Sequence, residues 1–189
     1  MLLVGCASQD ASLELSDLET VEYQHPHHGG TVTIPADWQL ISEEEDSAVF
    51  ANEAGTISFS FQWELGGMSY FSEEELASLA ASVGSATLEN AEVYESLELT
   101  KFDAAVKAVT TGTAENEEGN AVHTVCDTAI IQYFHDVRYY LTAITDVGTY
   151  EQYRRVFTQI ANSFTCALSE DEVYQMINEQ QEETEEENE

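Results

Sequence analysis

Residues 31–40 read TVTIPADWQL, and this stretch decides the fold. Side chains alternate between faces in an extended chain, so Val32 and Ile34 share one side while Thr31 and Thr33 share the other. Pro35 ends the pairing, because it has no N–H to donate and biases Ile34 towards an extended backbone. Trp38 then brings a large apolar surface within three residues of that break. A strand that stops at Pro, turns through Ala36-Asp37 and lands a Trp marks an architecture rather than a catalytic centre.

Working outward, residues 19–25 can form a first strand, and His25-Pro26-His27-His28-Gly29-Gly30 is a turn rich in breakers. Downstream, residues 38–42 resume pairing, 43–46 are an acidic turn and 48–51 a short strand. Residues 55–65 are the cleanest strand. There Ile57, Phe59, Phe61, Trp63 and Leu65 alternate with Thr56, Ser58, Ser60, Gln62 and Glu64. Ser72-Glu73-Glu74-Glu75 has the form of a capping box. It predicts a helix through Val83 with Leu76, Leu79, Ala80 and Val83 on one face and Gly84 as its stop. Strands are predicted over 91–99, 104–114 and 120–134, with a turn at 115–119. His135-Asp136 turns into a strand over 137–145, whose imperfect alternation predicts cover on both faces.

Thr149-Tyr150-Glu151-Gln152 predicts a second cap. Tyr150, Tyr153, Phe157, Ile160 and Phe164 then recur at steps of 3, 4, 3 and 4, the spacing of one helix face. Ser169-Glu170-Asp171-Glu172 predicts a third cap and a short helix with Val173, Met176 and Ile177 on one side. From Gln180 only Glu, Gln, Thr and Asn remain, a composition that predicts a disordered tail.

The chain of 189 residues is long enough for one domain with a proper core. Its charge is lopsided: 37 acidic residues against 5 basic give −32. Ten of the acidic residues lie in residues 170–189, leaving 27 against the same five in the body. Such a surface repels phosphate backbones and anionic headgroups, so nucleic acid is excluded as a partner. Solubility in a salty or crowded exterior accounts for the acidity.

Residues 1–6 read MLLVGC. Leu3-Val4-Gly5-Cys6 resembles a bacterial lipobox, in which the Cys receives the lipid and becomes the first residue of the mature protein. No Lys or Arg precedes it and only five residues do, against an apolar run of about 7–15 in a whole signal peptide. The expectation is therefore a signal-peptide remnant at 1–6, lipidation of Cys6 and a tether over 7–17. A globular domain over 18–166 and a short helix with an acidic tail over 167–189 complete the plan. Acyl chains suffice for anchoring without a transmembrane helix. This places the protein on the extracytoplasmic face of the cell membrane. There Cys126 and Cys166 form an even pair that can bridge as a disulfide or remain two buried thiols.

Among chemistry-bearing groups, His25, His27 and His28 are the sharpest candidates. Imidazoles across a Pro turn can offer two or three nitrogens to Zn²⁺ or Cu²⁺, with His123 or a carboxylate completing the set. Residues 43–46 and 116–120 lack the alternating oxygens of a calcium loop and read as acidic turns. Gly-x-Ser-x-Gly, His-Glu-x-x-His and a phosphate-cradling Gly loop are absent from the sequence. Lys101, Lys107, Arg138, Arg154 and Arg155 are too few for phosphate chemistry, and carboxylates near Arg154 and Arg155 can pair them.

The strand running into IPADW, the aromatic strand, an early helix, further antiparallel strands and a closing helix ending in residues 160–164, IANSF, resemble PsbP-like domains over about residues 19–165. The resemblance implies an α+β fold, a central antiparallel sheet with helices packed against it. Small bacterial surface lipoproteins carry this arrangement, and the family is mostly made of binding or accessory proteins. No functional residue carries over. The expected function is thus an extracytoplasmic, lipid-anchored binding or accessory protein with no catalytic activity and no cofactor. Its expected partners are the membrane, through Cys6, and an extracytoplasmic protein. Metal or small-ligand capture by the His25/His27/His28 turn is the alternative.

Overall fold

The computed structural model describes residues 12–65, 71–99, 104–116, 119–133 and 137–186. Strand β1 (Thr20–Gln24) and strand β2 (Gly30–Pro35) form an antiparallel hairpin in which Gln24 opposes Thr31 and Thr20 opposes Pro35. Pro35 closes the strand at a position where a backbone N–H would face away from β1, and the Ala36 N–H still donates to the Glu19 carbonyl at 2.8 Å, so the missing donor does not itself end the pairing. Val32 and Ile34 are buried, while Thr31 and Thr33 are half-exposed. Trp38 follows a turn closed by its own N–H on the Pro35 carbonyl at 3.2 Å. Its ring lies 5.4 Å from that of Phe59 and 6.4 Å from that of Phe157.

Seven further strands make one antiparallel sheet: β3 (Gln39–Glu43), β4 (Ser47–Ala51), β5 (Ile57–Leu65), β6 (Glu89–Glu98), β7 (Ala105–Glu115), β8 (Ala121–Tyr133) and β9 (Val137–Asp146). Their order is β3-β4-β5-β9-β8-β7-β6. The expected central antiparallel sheet is present, with TVTIP in a separate small sheet packed on it. Strand β9 lies fourth of seven, which explains its poor alternation, because both of its faces are covered. Ile57, Phe59 and Phe61 of β5 are buried, and removing each from water contributes about 2 kcal/mol.

Every neighbouring pair in the large sheet is antiparallel, so β5 and β6 point the same way. The connection between them must therefore cross a face of the sheet, and helix α1 (Glu73–Thr87) makes that crossing. Ser72 caps it as expected: its hydroxyl accepts from the Glu75 N–H, and Glu75 accepts from the Ser72 N–H at 2.8 Å. Gly84 does not stop the helix, which runs on to Thr87. A Cβ at Gly84 would sit 1.7 Å from Thr110 Oγ1; the glycine lets α1 lie directly on β7.

Helix α2 (Val147–Ser163) covers the opposite face, with Tyr150, Val156, Phe157 and Ile160 buried. Its cap is Asp146 rather than Thr149. The Asp146 carboxylate accepts from the Thr149 N–H at 3.0 Å and from the Thr149 hydroxyl at 2.6 Å. The chain then adds strand β10 (Thr165–Cys166) to the free side of β2 and enters helix α3 (Glu170–Glu186). Val173 and Ile177 of α3 are buried in the main core. The backbone stays helical through the Glu/Gln run to Glu186, in place of a short helix with a structureless tail. Glu and Gln are good helix formers, and the Gln175 amide donates to Glu179 one turn on at 2.8 Å.

Part of the expected tether is also built into the domain. Leu13 and Leu15 pack on the core, and the Leu13 N–H donates to the Gln152 carbonyl at 2.8 Å. Residues 1–11, with Cys6 and the lipobox, lie outside the described residues, as do Gly66-Gly67, Lys101 and His135-Asp136. No helix among the described residues is long and apolar enough to cross a membrane.

Candidate functional site

Strand β7 alternates. Val106 and Ala108 face α1, while Ala105 and Val109 face the main core. Lys107 falls in the core-facing row, where an apolar side chain would be expected, and only 2 % of it is exposed. Asp127 of β8 falls in the same row and is equally buried. Lys107 opposes Ala129 and Val109 opposes Asp127, so the two charges are diagonal neighbours across the strands.

The Lys107 ammonium donates to Asp127 Oδ2 at 2.8 Å and to the Thr158 hydroxyl of α2 at 2.8 Å. The Tyr150 hydroxyl hydrogen-bonds the same carboxylate. Burial pushes the Asp127 carboxyl up from its ordinary range against the pull of Lys107, and burial with nearby carboxylates also pushes the Tyr150 phenol up. Two buried charges taken out of water cost several kcal/mol unless closely paired and hydrogen-bonded; this geometry meets that condition.

Lys107 of this pair lines a cleft of about 300 Å³ between α2 and the β6–β7 edge. Arg154, Arg155 and Gln159 of α2 line one wall and Glu95 of β6 the other. Arg155 pairs with Glu14 at 2.8 Å and Arg154 loosely with Glu151 at 3.8 Å, so carboxylates do hold both arginines. The structure also brings them together with Lys107. Three of the chain's five basic residues line this one cleft. Arg138 is elsewhere, on the α1 face, paired with Glu64 and 4.8 Å from the Phe71 ring.

The histidine turn is arranged differently from an open chelating loop. His25 and His28 are buried and His27 is exposed. The His25 and His28 rings are stacked, centres 3.8 Å apart and planes 14° from parallel. Phe61, Trp63 and Tyr139 surround His28. His25 Nε2 and both His28 ring nitrogens are buried without a hydrogen-bond partner. Lone pairs lie in the ring planes, so an ion shared by these rings would need one of them to turn. Among the described residues no group of three or more His, Cys, Asp or Glu side chains is placed to hold a metal ion. His123 is exposed on β8, and Tyr139, whose hydroxyl donates to the His28 carbonyl, pairs with Ile131. Eight strand residues, about 26 Å, separate His123 from that point.

Cys126 and Cys166 are both free thiols, so the disulfide alternative is not the one the structure takes. Cys126 points to the α1 face, with its sulfur 3.6 Å from the Thr128 hydroxyl. Cys166 lies across the sheet, 3.2 Å from the Tyr139 hydroxyl. The two sit on opposite faces and about 17 Å apart along β8, whereas a bridge needs Cα atoms within about 7 Å.

The acidic stretch 43–46 runs into a turn, with the Glu44 N–H on the Ser47 carbonyl at 2.8 Å, and the Gly119 N–H donates to the Asn116 carbonyl at 2.8 Å, while Glu117 and Glu118 lie outside the described residues. The buried ion pair was not singled out from sequence. A signal for it existed: one cation in AAVKAV and one anion in VCDTAI, each interrupting an apolar strand.

No protein-family profile matches the chain, and no curated protein sequence does. Solved structures do match. One is the Ran-binding protein Mog1p of Saccharomyces cerevisiae, with a TM-score of 0.60 at 10% identity over 79% of this chain and 96% of that one. Another is cyanobacterial PsbP (CyanoP) from Synechocystis sp. PCC 6803, with a TM-score of 0.55 at 14% identity over 78% and 92%. A Bacteroides thetaiotaomicron structure matches at a TM-score of 0.51 and 12% identity, covering 80% of this chain and 49% of that one. The fold is therefore PsbP-like, shared with Mog1p.

Proposed function

We propose that this protein is a lipid-anchored, extracytoplasmic binding domain with no chemistry of its own, and that its ligand site is the cleft over Lys107. One observation carries the reading: a chain of net charge −32 with five basic residues places three of them around one cleft. Random placement on so acidic a surface would scatter them. The PsbP-like fold is consistent with a binding role, and the cleft has the size and convergent polar groups of a small-ligand site. Its ligand carries a carboxylate, to which Arg154 and the remaining Lys107 N–H can donate hydrogen bonds.

The address is tested by Cys6→Ala, which is expected to move the protein from the membrane fraction to the soluble fraction; unchanged partitioning would end the lipobox reading. The site is tested by isothermal titration of small carboxylates into wild type and Arg154→Gln. Binding in the wild type that weakens in the variant supports the cleft, and equal binding in both excludes it.

A second reading, metal capture at the histidine turn, has one observation in its favour: three buried imidazole nitrogens lack partners. Zn²⁺ titration decides it, since an affinity unchanged by His28→Gln removes this turn as the ligand set.

A further inference from the structure

We infer that the cleft binds a small zwitterion, an α-amino acid with an uncharged side chain, rather than a simple anion. This rests on the cleft being the ligand site. Its lining carries both signs of charge. Lys107 and Arg154 stand on one side, and Glu95 faces them from β6. Lys107 uses two of its three N–H donors, on Asp127 and Thr158. The third remains for a carboxylate at the cleft floor.

Glu95 has neither an ion-pair nor a hydrogen-bond partner among the described residues. It therefore meets a ligand cation without first breaking a contact. Tyr150 also lines the cleft, and an aromatic ring attracts an ammonium group. The Gln159 carboxamide accepts from the Leu15 N–H through Oε1, leaving its NH₂ for an oxygen on the ligand's side chain.

Long-range electrostatics point the same way. A net charge of −32 repels an approaching anion and lowers its association rate. A zwitterion has no net charge to repel, yet inside the cleft each end meets its opposite at contact distance, well within the screening length of about 8–10 Å. A simple carboxylate would meet Glu95 as an uncompensated like charge. The two-ended ligand turns that repulsion into an attraction.

The experiment is isothermal titration of the protein with neutral-side-chain L-amino acids one at a time, and with acetate and methylammonium as one-ended controls. Arg154 is half-exposed and Glu95 partly exposed, so Glu95→Gln and Arg154→Gln are expected to keep the wild-type melting temperature, which is measured alongside. At least one amino acid is expected to bind ten-fold or more tightly than acetate. Both variants are expected to weaken it by ten-fold or more, while Glu95→Gln leaves acetate unchanged or tighter. If acetate binds as well as every amino acid, or Glu95→Gln leaves amino-acid binding intact, the zwitterion inference fails and the carboxylate cleft survives. If no probe binds, both fall.

Discussion

The imidazole of His28 lies flat against that of His25, ring centres 3.8 Å apart, and neither His28 nitrogen has a hydrogen-bond partner. A protonated His28 would be a buried cation stacked on a second imidazole. Burial, and then the neighbouring His25, lower its pKa from 6.5 to about 3. The sign follows from linkage: a base with a depressed native pKa favours the fold while neutral. Its contribution is complete above pH 6.5 and is lost as pH falls from there towards 3, by about 1.4 kcal/mol per pH unit. Urea unfolding between pH 7 and 4 is expected to show this loss. In His28→Phe the one-proton slope is expected to vanish, and the difference between the two proteins cancels the titration of the many carboxylates. Parallel pH profiles would show that His28 is not the group responsible.

Lys107 and Asp127 are expected to behave as a unit. Lys107→Met strands a buried carboxylate and is expected to cost about 3–5 kcal/mol in denaturant unfolding. The double change Lys107→Met/Asp127→Leu removes both charges and is expected to regain most of that loss. A double variant as unstable as the single one would mean that side-chain volume, not charge pairing, controls this position.

Gly84 tests how α1 is seated. In an exposed helix, Gly→Ala stabilises by about 1 kcal/mol. Here the new methyl would meet Thr110 Oγ1 at 1.7 Å, so Gly84→Ala is expected to destabilise by about 1–3 kcal/mol. Adding Thr110→Gly, which clears the space, is expected to recover part of that. A rise in melting temperature for Gly84→Ala alone would mean that α1 does not lie this close to β7.

The thiols give a count. Unreduced, denatured protein is expected to titrate Cys126 and Cys166 as two free thiols. In the native state burial raises the pKa of both and so lowers their thiolate fraction, with Cys126 fully buried. Slow native labelling and fast labelling after denaturation is the expected pattern. No reaction at either position in the denatured protein would mean they are bridged.

Much of the fold was legible because its signals are local. The period-two pattern of Ile57, Phe59 and Phe61 and the helical spacing of Tyr150, Phe157 and Ile160 each act within a few residues, and the structure buries all six. The errors fell where a distant partner overrode a local preference. Gly84 reads as a stop until Thr110 is placed beneath it. Thr149 reads as a cap until Asp146, three residues earlier, takes the role. Cys126 and Cys166 read as an even pair until the sheet separates them. The candidate site was less legible than the fold, since Glu95, Lys107, Asp127 and Arg154 come from three strands and a helix.

The sequence by itself determined most of the elements, the buried faces of the strongly periodic ones, and the run of TVTIP into Pro35 and Trp38. Those outcomes depend on alternation and helical spacing, both properties of a short run of chain. Only the tertiary structure decided that His25 and His28 stack in the interior, that the two thiols lie on opposite faces, and that three of five cations share one cleft. Those outcomes depend on which strands become neighbours. Strand order is settled by burying all the apolar faces at once, and no local run of residues carries that information.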